Sequence, residues 1–175
     1  MYIYDFIQGL IIGGTLIIAI GPQNLFVIQQ GLKKSYVFTV TLFCSLSDSL
    51  LIVIGIYLSN YIVQINPSII GIIKVLGGIW LIFYGLNKVI KLNQIKDINK
   101  ELNIINEYGK VLITLFLITY ANPHVYLDTI ILLGSLSTNF NDQFSFGVGA
   151  ISASFLFFFS LGYMSKFLSK YIYSN

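Results

Sequence analysis

Five mainly apolar stretches follow one another along the chain, separated by polar segments. They cover about residues 6–28, 36–58, 69–90, 111–133 and 144–168. A helix needs roughly 20 such residues to cross a bilayer, so each stretch is long enough to span. The pattern predicts an all-α integral membrane protein with five transmembrane helices.

Composition strengthens this prediction. The 175 residues are 56% hydrophobic and only 10% charged, whereas soluble domains carry about 25% charged residues. Lipid must therefore cover much of the surface. The net charge is +3 and the lysines form small clusters rather than a stripe, so no nucleic-acid partner is expected. The N-terminus lacks the features of a secretory signal, and the first stretch is expected to remain as a span.

The lysines also predict the orientation. Lys33 and Lys34 occupy the first connection, four lysines lie within residues 91–110, and Lys166 and Lys170 lie near the C-terminus. Lysine-rich connections of membrane proteins stay in the cytoplasm. Strict alternation then places the C-terminus inside and the N-terminus outside.

The first apolar stretch is interrupted near its end by Gly21, Pro22, Gln23 and Asn24. Pro22 lacks a backbone donor and clashes with the preceding turn, so the helix should break there. Carbonyls freed inside a membrane need polar partners, which places the break against protein or a water-filled cavity. A structural kink would account for the proline alone, but the two adjacent amides favour a functional site.

An aspartate, Asp48, lies near the middle of the second stretch. An ionised carboxylate there costs about 2.5–3.5 kcal/mol on insertion scales, which packing alone would not favour. Thr41, Cys44 and Ser45 share its helix face, so this polar stripe should point into the bundle. The alternative interpretation is a protonated Asp48 that caps a neighbouring helix break.

The fourth stretch contains Asn122, Pro123, His124 and Asp128. His124 and Asp128 are four residues apart, hence neighbours on one helix face. A lone buried histidine usually serves only as a hydrogen-bonding group, but one paired with a membrane carboxylate is a candidate proton or cation site. One histidine and scattered carboxylates do not complete a metal-ligand set, so we expect neither a metal nor a cofactor.

These features repeat along the chain. Residues 1–90 form a first unit of three spans, 91–110 a charged linker, and 111–175 a second unit of two spans. The first span of each unit carries a proline beside an amide, and the two units would start on opposite sides of the membrane. Matching broken helices in two inverted halves often form a transporter's substrate site near the midplane. The layout therefore predicts an inverted-repeat transporter bundle.

Small residues predict close helix contacts. Gly9 and Gly13 in the first span, and Gly149 in the fifth, would let helix backbones approach closely in lipid. Packing or lipid exposure, rather than ligand binding, is expected of four phenylalanines in the fifth span, Phe155, Phe157, Phe158 and Phe159.

The residues at the two breaks and around Asp48 resemble the lysine and arginine exporter family. The similar segments are Gly-Pro-Gln-Asn at 21–24, Ser-Asp at 47–48 and Asn-Pro-His-Val-Tyr-Leu-Asp-Thr at 122–129, and the similarity extends over nearly the whole chain apart from the linker. The resemblance implies a multi-pass protein of the bacterial inner membrane that exports L-lysine, L-arginine or close analogues. It implies that the transport is driven by protons or the membrane potential. It also implies that four residues lie at or near the transport path: Asn24, Asp48, Asn122 and Asp128.

Candidate roles follow from the chemistry of the side chains. A cationic substrate is costly to desolvate without a counter-charge, so Asp48 and Asp128 are expected to bind the cation or a coupling proton. The amides of Gln23, Asn24 and Asn122 are expected to hold the amino-acid backbone groups. His124 is a lesser candidate for proton coupling.

One departure from the family concerns the number of spans. Members typically have six hydrophobic segments, whereas this sequence has five, so the bundle would lack a sixth helix. The alternative function is therefore a truncated or accessory membrane subunit without transport activity of its own. An enzyme is not expected, since no nucleophile and base are paired. The pattern leaves assembly into a homo-oligomer open.

Overall fold

The computed structural model describes residues 2–18, 21–66 and 107–172, together with single positions and pairs between 68 and 83. Within these residues every regular element is helical, which confirms the predicted all-α class. The helices are α1 (Ile3–Ile17), α2 (Pro22–Leu32), α3 (Val37–Ile65), α4 (Tyr108–Tyr120) and α6 (Gln143–Ile172). Between the last two lies α5, made of the consecutive segments Pro123–Tyr126, Leu127–Leu133 and Gly134–Ser137.

By length and composition, α3 and α6 can each cross a membrane. The α1–α2 pair is bent by 82° and the α4–α5 pair by 57°, and each pair also qualifies as one broken span. The described residues thus hold up to four spans. Most of the third predicted span, 69–90, and residues 91–106 of the predicted linker lie outside them, so the count of five stays a prediction.

Contacts between the helices give their relative directions. Helix α6 runs parallel to α1 and α2 and antiparallel to α3, whereas α5 runs parallel to α3. The contacts that establish this are Phe6 with Gly149, Gly31 with Gly162, Thr41 with Gly162, Ile56 with Gly147, Gly55 with Ile130, and Ser59 with Gly134. The two bent pairs therefore run in opposite directions, as an inverted duplication requires, although the duplication itself stays a prediction.

Glycines bring the helices close together at two crossings. A Cβ atom at Gly13 would lie 2.9 Å from the Cα of Ala150, where α1 crosses α6. A Cβ atom at Gly134 would lie 2.5 Å from the carbonyl oxygen of Gly55, where α5 crosses α3. Backbone atoms cannot move aside as a flexible side chain can, so only glycine fits at these positions.

Two apolar clusters lie at different levels of the bundle. The first, toward the α2–α3 connection, contains Phe26, Val27, Val40, Cys44, Val111, Leu115 and Phe158. The second, toward the start of α6, contains Ile52, Leu133, Phe146 and Ala150. On α3 the polar residue Asp48 falls between Cys44 of the first cluster and Ile52 of the second. The bundle therefore has a polar layer between two apolar ones.

The helix starts of α1 and α6 are linked by carboxylates. The Asp142 N–H donates to Asp5 Oδ2 over 2.8 Å. The hydroxyl and the N–H of Ser145 both donate to the Asp142 carboxylate, which caps α6. These hydrogen bonds from Ser145 hold the pKa of Asp142 below its usual value. The link fixes one end of α6 beside α1.

Candidate functional site

A cavity of about 60 Å³ lies in the polar layer, where both broken helices meet α3 and α6. A cavity needs about 10–15 Å³ to hold one water molecule, so this one holds a few. All six side chains predicted to bind substrate or a coupling ion line it: Gln23, Asn24, Asp48, Asn122, His124 and Asp128. Residues more than 100 positions apart in sequence, such as Gln23 and Asp128, thereby line one cavity.

At the first break, Gly21 is the N-cap of α2 and lines the cavity, and Pro22 is the first residue of the helix. The end of α1 leaves backbone carbonyls without a helical partner. The Asn24 Nδ2 donates to the carbonyl oxygen of Ile17 over 3.0 Å and satisfies one of them. This amide therefore stabilises the break in addition to lining the cavity.

The second break is stabilised in a similar way. Asn122 precedes Pro123, and its Oδ1 accepts a hydrogen bond from the His124 N–H over 3.1 Å, which caps the start of α5. The Tyr126 hydroxyl donates to the Tyr120 carbonyl oxygen over 2.6 Å. At each break, then, a polar side chain satisfies a carbonyl near the end of the preceding helix.

Removing the hydrogen bond from the Tyr126 hydroxyl to the Tyr120 carbonyl oxygen should destabilise the protein. We expect Tyr126→Phe to lower the free energy of unfolding by about 1 kcal/mol, because the part-buried Tyr120 carbonyl loses its donor. Thermal unfolding in detergent measures the change. Tyr171→Phe is the matched control, since Tyr171 is 73% exposed, and an equal shift in both variants would contradict the assigned role.

Asp48 is buried in the polar layer and accepts a hydrogen bond from the Ser154 hydroxyl over 3.1 Å. The stripe predicted to share its face, Thr41, Cys44 and Ser45, is fully buried, so this face does point into the bundle. Because Ser154 belongs to α6, the Asp48 carboxylate joins α3 to the last helix. Asp48 does not cap either helix break through a described hydrogen bond.

His124 and Asp128 form the predicted pair, with His124 Nε2 3.3 Å from Asp128 Oδ2. Asp128 lies in the π-helical segment of α5, a local widening that is frequent at functional sites. Its other oxygen, Oδ1, is buried and has no hydrogen-bond partner among the described residues. Asp48 and Asp128 line the cavity, and no lysine is among the described residues around it. This arrangement suits a cationic ligand.

Three features of the site have no counterpart in the sequence prediction. The Ser154 hydroxyl binds Asp48, although the small residues of this helix suggested close packing alone. Phe158 lines the cavity rather than only packing in the bundle. Asp128 lies in a π-helical segment, Leu127–Leu133, and not in a regular α-helix. No group of three His, Cys, Asp or Glu side chains in the described part of the chain could hold a metal ion.

Comparisons with known proteins identify the family. The family model for LysE type translocators matches residues 15–175, which is most of the chain. This protein belongs to the LysE type translocator family. Among curated relatives of this LysE family member are proteins named arginine exporter protein ArgO. Those of Klebsiella pneumoniae strain 342 and Escherichia coli K12 are 36% and 35% identical to it over 97% of this chain and 81% of their own length. That of Pectobacterium atrosepticum is 32% identical over 95% of this chain and 83% of its own length. No solved structure matches.

Proposed function

We propose that this chain exports basic amino acids, arginine and also lysine, across the bacterial inner membrane as a secondary transporter. The relatives named arginine exporters support the substrate class. The observation that carries the proposal is the cavity at the two helix breaks, which both Asp48 and Asp128 line and which has no lysine among its described lining residues. The predicted orientation, with the N-terminus outside and the C-terminus inside, belongs to the proposal.

The two carboxylates would compensate the charge of the substrate. An ammonium or guanidinium group loses its hydration when it enters a bundle, and a nearby carboxylate offsets that cost. Asp48 is buried and oriented by Ser154, and Asp128 has a buried oxygen with no partner among the described residues. Either carboxylate, with His124 beside Asp128, would also accept a coupling proton.

Transport requires the two apolar clusters to open in turn. The cavity holds only a few water molecules in this conformation, less than an arginine needs. Phe158 belongs to the first cluster and Ile52 and Leu133 to the second, and all three line the cavity. Rocking of the two halves about the breaks at Pro22 and Pro123 would open one cluster at a time, as alternating access demands.

Export in cells tests the proposal. A bacterial strain without its own basic amino-acid exporters, fed arginine-containing or lysine-containing dipeptides, should accumulate the free amino acid. Expression of this chain is expected to lower intracellular arginine and lysine several-fold. Unchanged intracellular levels, with the protein present in the membrane, would contradict the proposal and favour an accessory subunit.

A further inference from the structure

The two helices that begin at the cavity differ at their N-termini. Helix α5 is capped by a side chain, since Asn122 Oδ1 accepts from the His124 N–H. Helix α2 begins after Gly21, which has no side chain, and no side chain in the described part of the chain caps it. The start of α2, with Gly21 and Gln23, lines the cavity. One helix N-terminus therefore faces the cavity without a capping side chain from the described residues.

Gln23 adds a second and independent feature at the same place. Its side chain is only 6% exposed, and its Nε2 has no hydrogen-bond partner among the described residues. It lies beside Asp48 and Cys44. A buried N–H group without an acceptor is costly. The amide is thus placed to donate to an acceptor that enters the cavity.

We propose that the N-terminus of α2 and the Gln23 amide form a subsite for the α-carboxylate of the transported amino acid. This inference rests on the proposed function and adds the orientation of the substrate. The substrate would lie with its carboxylate at the first helix break and its cationic groups toward Asp48 and Asp128.

The N-terminus of α2 and the Gln23 amide both favour a carboxylate over a cationic group. The N-terminus of a helix carries a partial positive charge and stabilises anions. An amide nitrogen donates hydrogen bonds and cannot accept one, so Gln23 Nε2 suits a carboxylate oxygen and not an ammonium or guanidinium group. Helix α5 offers less to an anion because the Asn122 side chain already caps its N-terminus.

The proposed subsite predicts different affinities for arginine and for agmatine, which is arginine without its carboxylate. Equilibrium binding of both compounds to the purified full chain in detergent tests it. The wild-type protein is expected to bind arginine at least tenfold more tightly than agmatine, as the loss of one charge-assisted hydrogen bond implies. Equal affinity for the two compounds would overturn the subsite, whatever the variants do.

Two variants of Gln23 sharpen the test. Gln23→Leu should weaken arginine binding about tenfold and leave agmatine binding unchanged. Gln23→Glu should weaken arginine binding and strengthen agmatine binding, because the new carboxylate repels one ligand group and attracts the other. Equal losses for both ligands, or none, would overturn the subsite.

Controls separate this inference from the proposed function. Gln30→Leu makes the same change in the same helix at a buried position outside the cavity, and should leave the arginine-to-agmatine ratio unchanged. Asp48→Asn should weaken both ligands alike, because it removes a counter-charge for the cation. If the wild-type chain binds neither arginine nor agmatine, the proposed function is contradicted. If it binds both but the ratio of the two affinities does not change as expected in the Gln23 variants, only the subsite is contradicted.

Discussion

Replacing Asp48 by asparagine is expected to reduce arginine export about 100-fold. Asparagine has the same size and keeps an oxygen that can accept the hydrogen bond from Ser154. Its loss of charge leaves a desolvated cation without one of its two counter-charges, and losing one member of a buried charge pair costs about 2–5 kcal/mol. Export rates from cells loaded with arginine measure the effect.

The matched control for this prediction is Asp142→Asn. Asp142 is a carboxylate at the start of α6, outside the cavity, where asparagine caps a helix equally well. It should leave export unchanged. Equal export by Asp48→Asn and the wild-type chain, at equal amounts in the membrane, would show that Asp48 does not serve as a counter-charge.

Replacing Gly134 by alanine is expected to destabilise the protein. The added Cβ atom would lie 2.5 Å from the carbonyl oxygen of Gly55 and 2.6 Å from its carbonyl carbon. Helices α3 and α5 would have to separate, at a cost of about 1–3 kcal/mol. We expect the apparent Tm in detergent to fall by about 5–10 °C.

Gly109→Ala is the control for Gly134→Ala. A Cβ atom at Gly109 meets nothing within 4 Å, and alanine favours a helix more than glycine does. Its Tm should therefore stay the same or rise slightly. A fall of equal size in both variants would mean that the α3–α5 crossing does not depend on glycine.

Much of the architecture could be predicted because local physics decides it. Proline cannot continue a helix, so Pro22 and Pro123 mark the ends of α1 and α4 within apolar stretches. Helical spacing puts Thr41, Cys44 and Asp48 on one face, and that face is buried. Neither inference needs knowledge of which helix lies opposite.

The structural features that the sequence did not predict depend on contacts between distant parts of the chain. Ser154 binds Asp48 across 106 positions, and one hydroxyl among several in α6 carries no local sign of this partner. Gly55 and Gly134 meet only because α3 and α5 cross there. The π-helical segment that contains Asp128 likewise has no sequence signal that we could use to predict it. Local sequence patterns predict which polar groups lie within the apolar stretches, whereas tertiary packing determines which residues these groups contact.

Exchange of arginine by the purified chain tests the central claim most directly. Liposomes that contain only this protein are loaded with unlabelled arginine and diluted into buffer with labelled arginine. We predict saturable accumulation of label that Asp48→Asn abolishes and Asp142→Asn preserves. Accumulation no greater than in protein-free liposomes, or equal accumulation with Asp48→Asn, would contradict a basic amino-acid site between the two broken helices.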